Sequence, residues 1–175
     1  VEALLPKILG CLVIILCAAK IGFDEAAKFS RRIKEIRELQ AALIALKGEI
    51  GFCKTPLPYA LIRTGQKLKT AIKQVFIKAG EGLKEGGKLV SDVWDAAILN
   101  AGRNLSLKND EIEILGTFGG LLGASDAAGQ IENIEQTYQK LEECEKQAIE
   151  DERKFARLYR SLGVIGGIFI AILFL

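Results

Sequence analysis

The sequence predicts an all-α fold, an antiparallel helical bundle flanked by two transmembrane segments. Three observations carry that expectation. Apolar residues recur at spacings of three and four along most of the chain, as on the buried face of a helix. No stretch shows the sustained apolar–polar alternation of a half-buried strand. Two runs without charge, residues 8–19 and 161–175, stand at the ends, while charges are spread through everything between them.

The opening run lies between Lys7 and Lys20. A spanning helix needs about 20 residues, and residues 4–23 supply that length if both lysines direct their amines to headgroups. A cleaved leader is an alternative, because small residues at Cys17, Ala18 and Ala19 close a lysine-flanked apolar stretch; a buried core helix is another. The closing segment, 161–175, reaches only about 22 Å as a helix. Leu158 and Tyr159 lengthen it, and bilayer thinning absorbs the remaining mismatch. Uncharged residues encircle both runs rather than marking one stripe, which favours lipid over a protein core. Gly163, Gly166 and Gly167 form a small-residue face for a second transmembrane helix.

The flanks set the orientation. Lys20, Lys28, Arg31, Arg32, Lys34 and Arg37 follow the first run, and Arg153, Lys154, Arg157 and Arg160 precede the second. Positive charge stays on the cytoplasmic side, so residues 24–160 are expected in the cytoplasm and both termini across the membrane; Glu2 and the terminal carboxylate do not oppose this. With 24 basic and 22 acidic residues the net charge is +2, too small for a field that recruits nucleic acid. Cys11, Cys17, Cys53 and Cys144 lack zinc spacing and disulfide density, consistent with free thiols.

From residue 24 to 51, Phe29, Ile33, Ile36, Leu39 or Gln40, Leu43, Leu46 and Ile50 form one helical face. Arg32, Glu35, Arg37, Glu38, Lys47 and Glu49 fill the remainder. No clear breaker separates Phe23 from Gly48, so this helix is expected to continue the first span. Thr55-Pro56-Leu57-Pro58 interrupts it, with Thr55 as a candidate cap for a helix whose first turn contains Pro56. Leu61, Ile62 and Leu68 follow, with Gly65 as a break between short elements. Helices are expected over 71–83 and 89–99, joined by a polar link at 84–88. Trp94, the only tryptophan, fits either the core or a contact with a neighbouring protein.

Asp110 and Glu111 suit the first turn of the next helix, whose apolar side is Ile112, Leu115, Phe118, Leu121 and Leu122. Gly116, Gly119, Gly120 and Gly123 cost about 1 kcal/mol each relative to alanine in a helix, tolerable where other helices approach closely. No lysine and hydroxyl of a Walker loop accompany them. Ser125 and Asp126 cap a last long helix reaching about Arg160. Ile131, Ile134, Tyr138, Leu141, Ala148, Phe155 and Tyr159 give it an apolar side, and its simplest partner is the 24–51 helix, running antiparallel.

The chemistry of catalysis is sparse. The chain has no histidine, hence no imidazole base or ligand. Glu142 with Glu145, and Asp110 with Glu113, read as solvated helix surface, and Ser106 and Ser125 have no recognisable base. We therefore expect no catalytic residue, no metal site and no cofactor.

Several strings in order carry a family resemblance: Lys7-Ile8-Leu9-Gly10, Gly22-Phe23, Arg37-x-Leu39, Glu49-Ile50 leading to Thr55-Pro56-Leu57, Leu115-Gly116-x-Phe118-Gly119, Leu122-Gly123-x-Ser125-Asp126, Gly129-Gln130 and Tyr159-Arg160-Ser161-Leu162-Gly163-Val164. Over essentially its whole length the chain resembles the stage III sporulation protein AB family of endospore-forming bacteria. That resemblance implies a soluble domain related to the cytoplasmic domain of the type II secretion inner-membrane platform protein, the F protein. It implies a non-enzymatic platform component of a secretion-like channel between mother cell and forespore, in the mother-cell membrane facing the forespore. The partners implied are other stage III sporulation membrane proteins, the cytoplasmic ATPase of the same operon and the lipid bilayer, with copies of this chain as a further candidate. In this reading the long first and last helices form a stalk. Exposed Arg32, Glu35, Arg37 and Glu38 tune the ATPase contact, and Leu115, Gly116, Gly119, Leu122, Gly123, Ser125 and Asp126 maintain the bundle. A small membrane-tethered scaffold or signalling protein unrelated to secretion is the alternative.

Overall fold

The computed structural model describes residues 4–174, and every regular element among them is helical. In order these are α1 (Leu4–Gly51), α2 (Leu57–Gln66), α3 (Ile72–Lys84), α4 (Val90–Ala101), a 3-10 turn (Gly102–Asn104), α5 (Asn109–Leu121), α6 (Ala127–Asp151), a π-helical turn (Glu152–Ala156) and α7 (Arg157–Phe174). The all-α expectation is met. Glu2 and the terminal carboxylate of Leu175 lie outside the described residues, as does the Lys7 side chain. The chain divides into two compact units, Arg32–Lys146 and the segments on either side of it.

In Arg32–Lys146 the apolar stripe of α1 becomes the core: Ile33, Ile36, Leu39, Leu43, Leu46 and Ile50 are buried, and so is Gln40. Opposite ends of α1 and α6 meet, because Arg37 reaches Glu145, Lys47 pairs with Glu135 and Gly51 faces Ile131. The short helices pack in sequence, α2 on α3, α3 on α4 and α4 on α5. Glycines set how closely they do so. A Cβ on Gly65 would lie 2.8 Å from Ile77, and one on Gly80 only 2.6 Å from the Pro58 carbonyl. Gly65 is therefore a contact inside the last turn of α2 and not a break. Thr55 does not cap α2 either: Pro56 takes the N-cap position, and the Thr55 hydroxyl donates to Glu49 at 2.9 Å. Gly86 and Gly87, at φ +75° and +74°, turn the chain between α3 and α4.

Trp94 belongs to this core. Its indole stands edge-on to Phe76 and Phe118, with ring centroids 5.3 and 5.4 Å away, and Nε1 donates to the Leu115 carbonyl at 2.8 Å. The apolar body is thus buried while the one polar atom is satisfied. Gly119 lies directly beneath the ring, so a Cβ there would stand 2.5 Å from Cγ of Trp94.

The second unit contains a close helix pair. Gly163 lies against Gly22 and the Ala18 carbonyl, and Gly167 against Ile15 and Ala18. Further along, Phe29 stacks with Phe155 at 6.1 Å and meets Tyr159 at 5.8 Å, and Ser30 donates to Glu152. The two strands of helix run in opposite directions, as these pairings require. The small-residue face expected to receive a transmembrane helix receives the chain's own opening helix at Gly163 and Gly167, while Gly166 meets nothing within 4 Å. Leu9, Leu12, Val13 and Leu16 on one helix, and Leu162, Ile165, Phe169 and Ile172 on the other, remain exposed.

Among the described residues one continuous helix, Ala127–Ile172, is long and apolar enough to cross a membrane. Its most apolar stretch has a mean hydropathy of 1.5 and is 17% buried. The helix does not stop near Arg160, because neither proline nor glycine interrupts it there and the backbone passes through the π turn into α7.

Replacing Gly119 with Ala should destabilise Arg32–Lys146 by about 2–3 kcal/mol, the cost of overpacking against a ring that cannot rotate away. Leu at the same position should cost more. Urea unfolding followed by Trp94 fluorescence measures both. Gly120, whose surroundings are open, should accept Ala without loss.

Candidate functional site

The charged residues of α1 were the expected partner surface, and their environments decide what they can do. Arg32 is 4% and Glu35 is 4% exposed. The expectation of a solvent-facing charge is thus corrected for these two, because both side chains are spent inside the fold. Nε of Arg32 donates to Glu111 at 3.0 Å, and Nη2 reaches the same oxygen. Glu111 is fully buried, and its other oxygen accepts the Lys108 amide at 2.5 Å, at the start of α5. A carboxylate in a helix's first turn meets unsatisfied amides and the positive end of the dipole. Arg32 supplies the counter-charge that makes its burial tolerable. Glu35 accepts the Ser106 amide at 2.7 Å in the segment before α5.

Glu38 is half-buried. It accepts the amides of Lys69 and Thr70 at 2.7 and 2.8 Å and the Thr70 hydroxyl at 2.6 Å, and so holds the α2–α3 turn. Arg37 alone of the four is well exposed, donating through Nε to Glu145 at 2.7 Å. That contact holds the Glu145 carboxyl below its ordinary value against the opposing effect of burial. Burial, and then the charge of Glu111, pushes the Cys144 thiol upward, away from the reactive thiolate form.

The second group of expected residues lies in the α5–α6 region. Leu115 and Leu122 are buried, and Gly119 seats Trp94. Gly116 has only Asp95 nearby, at 3.9 Å. Gly123 adopts φ +79° beside Val90 and Leu57, a conformation that a Cβ disfavours. Asp126 accepts the Gly129 amide at 2.9 Å as the cap of α6, while Ser125 contributes its carbonyl to Gln130 at 3.1 Å. These side chains position helices; none is arranged around a ligand-sized space. Among the described residues no group of three His, Cys, Asp or Glu could hold a metal ion.

The sequence reading missed two surface features. One is an open apolar groove of about 310 Å³ lined by Ile44, Ile134 and Tyr138, with Lys47 and Glu135 at its rim. The other is the α1–α2 corner, where Phe52 is 90% exposed. Glu49 anchors that corner. Its carboxyl sits below the usual 4.5, chiefly through the Thr55 hydroxyl and then through Arg63 and Lys67, with burial opposing.

Two measurements follow from these contacts. Glu111→Gln should destabilise the protein by about 3–5 kcal/mol, because it breaks a buried ion pair by neutralising one member. The double change Arg32→Met with Glu111→Leu should recover much of that loss in chemical unfolding. Glu49 has its folded-state pKa depressed, so its contribution is present above the unfolded value of 4.5 and is lost as pH falls through the lower folded value. The stability difference between wild type and Glu49→Gln should therefore be greatest near neutral pH and shrink below 4.5.

A family model described as Stage III sporulation protein AB matches residues 7–175. Stage III sporulation protein AB of Bacillus subtilis (strain 168) is 30% identical over 167 residues, 95% of this chain and 98% of that protein. A solved structure of Stage III sporulation protein AB (SpoIIIAB) is similar with a TM-score of 0.66 and 30% identity, covering 71% of this chain and 98% of the solved one. Length, sequence and fold agree, and the chain belongs to the stage III sporulation protein AB family.

Proposed function

We propose that this chain is a non-enzymatic platform component of a secretion-like channel between mother cell and forespore, and that it contacts the cytoplasmic ATPase of its operon. The observation that carries the reading is the uncovered apolar surface of Ala127–Ile172 in a chain of a sporulation family. Lipid is the solvent such a surface fits. The opening apolar run serves as a second span, and Gly22, Gly163 and Gly167 let it pack closely against the first. Packing at small residues is the main source of helix association where lipid removes the hydrophobic drive.

Basic residues before Ser161 and after Ala19 hold the Arg32–Lys146 unit in the mother-cell cytoplasm. There the helices form a bundle related to the platform protein of type II secretion, a relation supported by the family resemblance. Other stage III membrane proteins are its neighbours in the bilayer, and further copies of the chain complete the assembly. Enzymatic turnover has no part in this role; a sequence without histidine lacks the commonest neutral-pH base.

Affinity purification of the full-length chain from membranes of engulfed sporangia should recover the ATPase and other stage III membrane proteins. A membrane-impermeant label should reach a cysteine at position 90 only after the mother-cell membrane is opened, in a background with the four native cysteines replaced. Recovery of neither class of partner would reject the platform role.

A further inference from the structure

Between Ile50 and Gly80 the sequence contains six basic residues and no acidic one. The fold lines four of these up beside α1. Glu49 draws in Arg63 and Lys67, at 3.1 and 3.6 Å, and also the Thr55 hydroxyl next to Lys54. Glu38 binds the Lys69 amide. At a 1.5 Å rise these carboxylates are about 16 Å apart along the helix, so the segments that carry Lys54, Arg63, Lys67 and Lys69 are anchored over roughly that length, which we call the stripe. Glu49 is 7% exposed and Glu38 half-buried, whereas the basic side chains are exposed. The charge reaching solvent along this stripe is positive.

Phe52 stands at one end of it on a fixed backbone. Its amide and that of Cys53 donate to the Gly48 carbonyl at 3.0 and 3.2 Å, and the Thr55 amide donates to the Glu49 carbonyl at 2.9 Å. Lys54 completes this turn at φ +48°, the left-handed region that lysine seldom occupies. An exposed aromatic ring on a fixed backbone beside an arginine combines two residue types enriched at protein interfaces.

We propose that Phe52 with the Lys54–Arg63–Lys67–Lys69 stripe is a docking surface for an acidic face of a cytoplasmic protein, with an apolar socket that takes the phenyl ring. In the platform role, on which this identification of the partner rests, that protein is the ATPase. A second copy related by a two-fold axis would present the same positive stripe and be repelled. A lipid surface is the remaining occupant that the test distinguishes.

The test uses the full-length chain in sporulating cells, with Phe52 replaced by a benzophenone-bearing phenylalanine and, as a control, the same group at exposed Leu99. The expected result is a cross-link from position 52, and not from 99, to an acidic peptide of the ATPase. In parallel, Phe52→Ser combined with Lys54→Gly should lower ATPase capture about tenfold or more with an unchanged unfolding midpoint, since glycine relaxes the Lys54 turn. Capture by the wild type should fall as salt rises from about 0.1 M to about 0.5 M. A cross-link to an acidic peptide of another stage III protein keeps the surface and overturns the ATPase as its occupant. Cross-links to lipid or to this chain, or none from position 52, overturn the surface. Undiminished ATPase capture by the folded double variant overturns it too, while leaving the platform role standing.

Discussion

Backbone amides ahead of a helix need acceptors, and in Arg32–Lys146 carboxylates of α1 provide them at two turns. Helices α2 to α5 are 10 to 13 residues long; the N-cap residues of α2, α3 and α4 make no side-chain cap, and α5 is closed by its own Glu111. Helices of that length are marginal in water and depend on tertiary contacts. Glu49 ties down the corner before α2, Glu38 the turn before α3 and Glu35 the segment before α5, while Arg32 holds Glu111 at the start of α5 itself. A hydrogen bond to a charged group contributes about 1.5–3 kcal/mol. A few polar positions on one helix thus organise loops that have little apolar content of their own.

That arrangement explains what the sequence could and could not disclose. The core stripe of α1 was legible from periodicity alone, because Ile33, Ile36, Leu43, Leu46 and Ile50 recur at helical intervals and are buried in that register. The flanking charges were not. Arg32 and Glu35 sit at the border of the stripe, where a charged side chain reads the same whether it meets water or a loop that returns from 70 residues later. Glu111 was legible as a first-turn acid but not as a buried one, since its counter-ion is distant in sequence.

Trp94 was equally undecided in the sequence, a single large ring being suited to core or interface. Phe76 and Phe118, on two different helices, settle it in the core. The abundance of glycine announced close packing without naming the contacts. Among the α5 glycines, Gly119 is fixed by Trp94, whereas Gly120 meets nothing and Gly116 only an ordinary contact. Spacing on a helix cannot distinguish these, because the distinction lies in what the facing helix presents.

The nature of the facing atom also separates the two kinds of glycine contact. Beneath Trp94 the obstacle is a side chain, wedged between two other rings and satisfied at its nitrogen, so it resists displacement through its packing. At Gly22 the obstacles are backbone: a Cβ would stand 2.6 Å from the Tyr159 carbonyl and 2.9 Å from Cα of Gly163. No rotamer change relieves such a clash; only separation of the helices does. Dispersion attraction falls off over fractions of an ångström, so this spacing decides how much of it the two helices gain. A glycine pair in backbone contact therefore sets the spacing of the apolar helices more firmly than any side-chain contact between them.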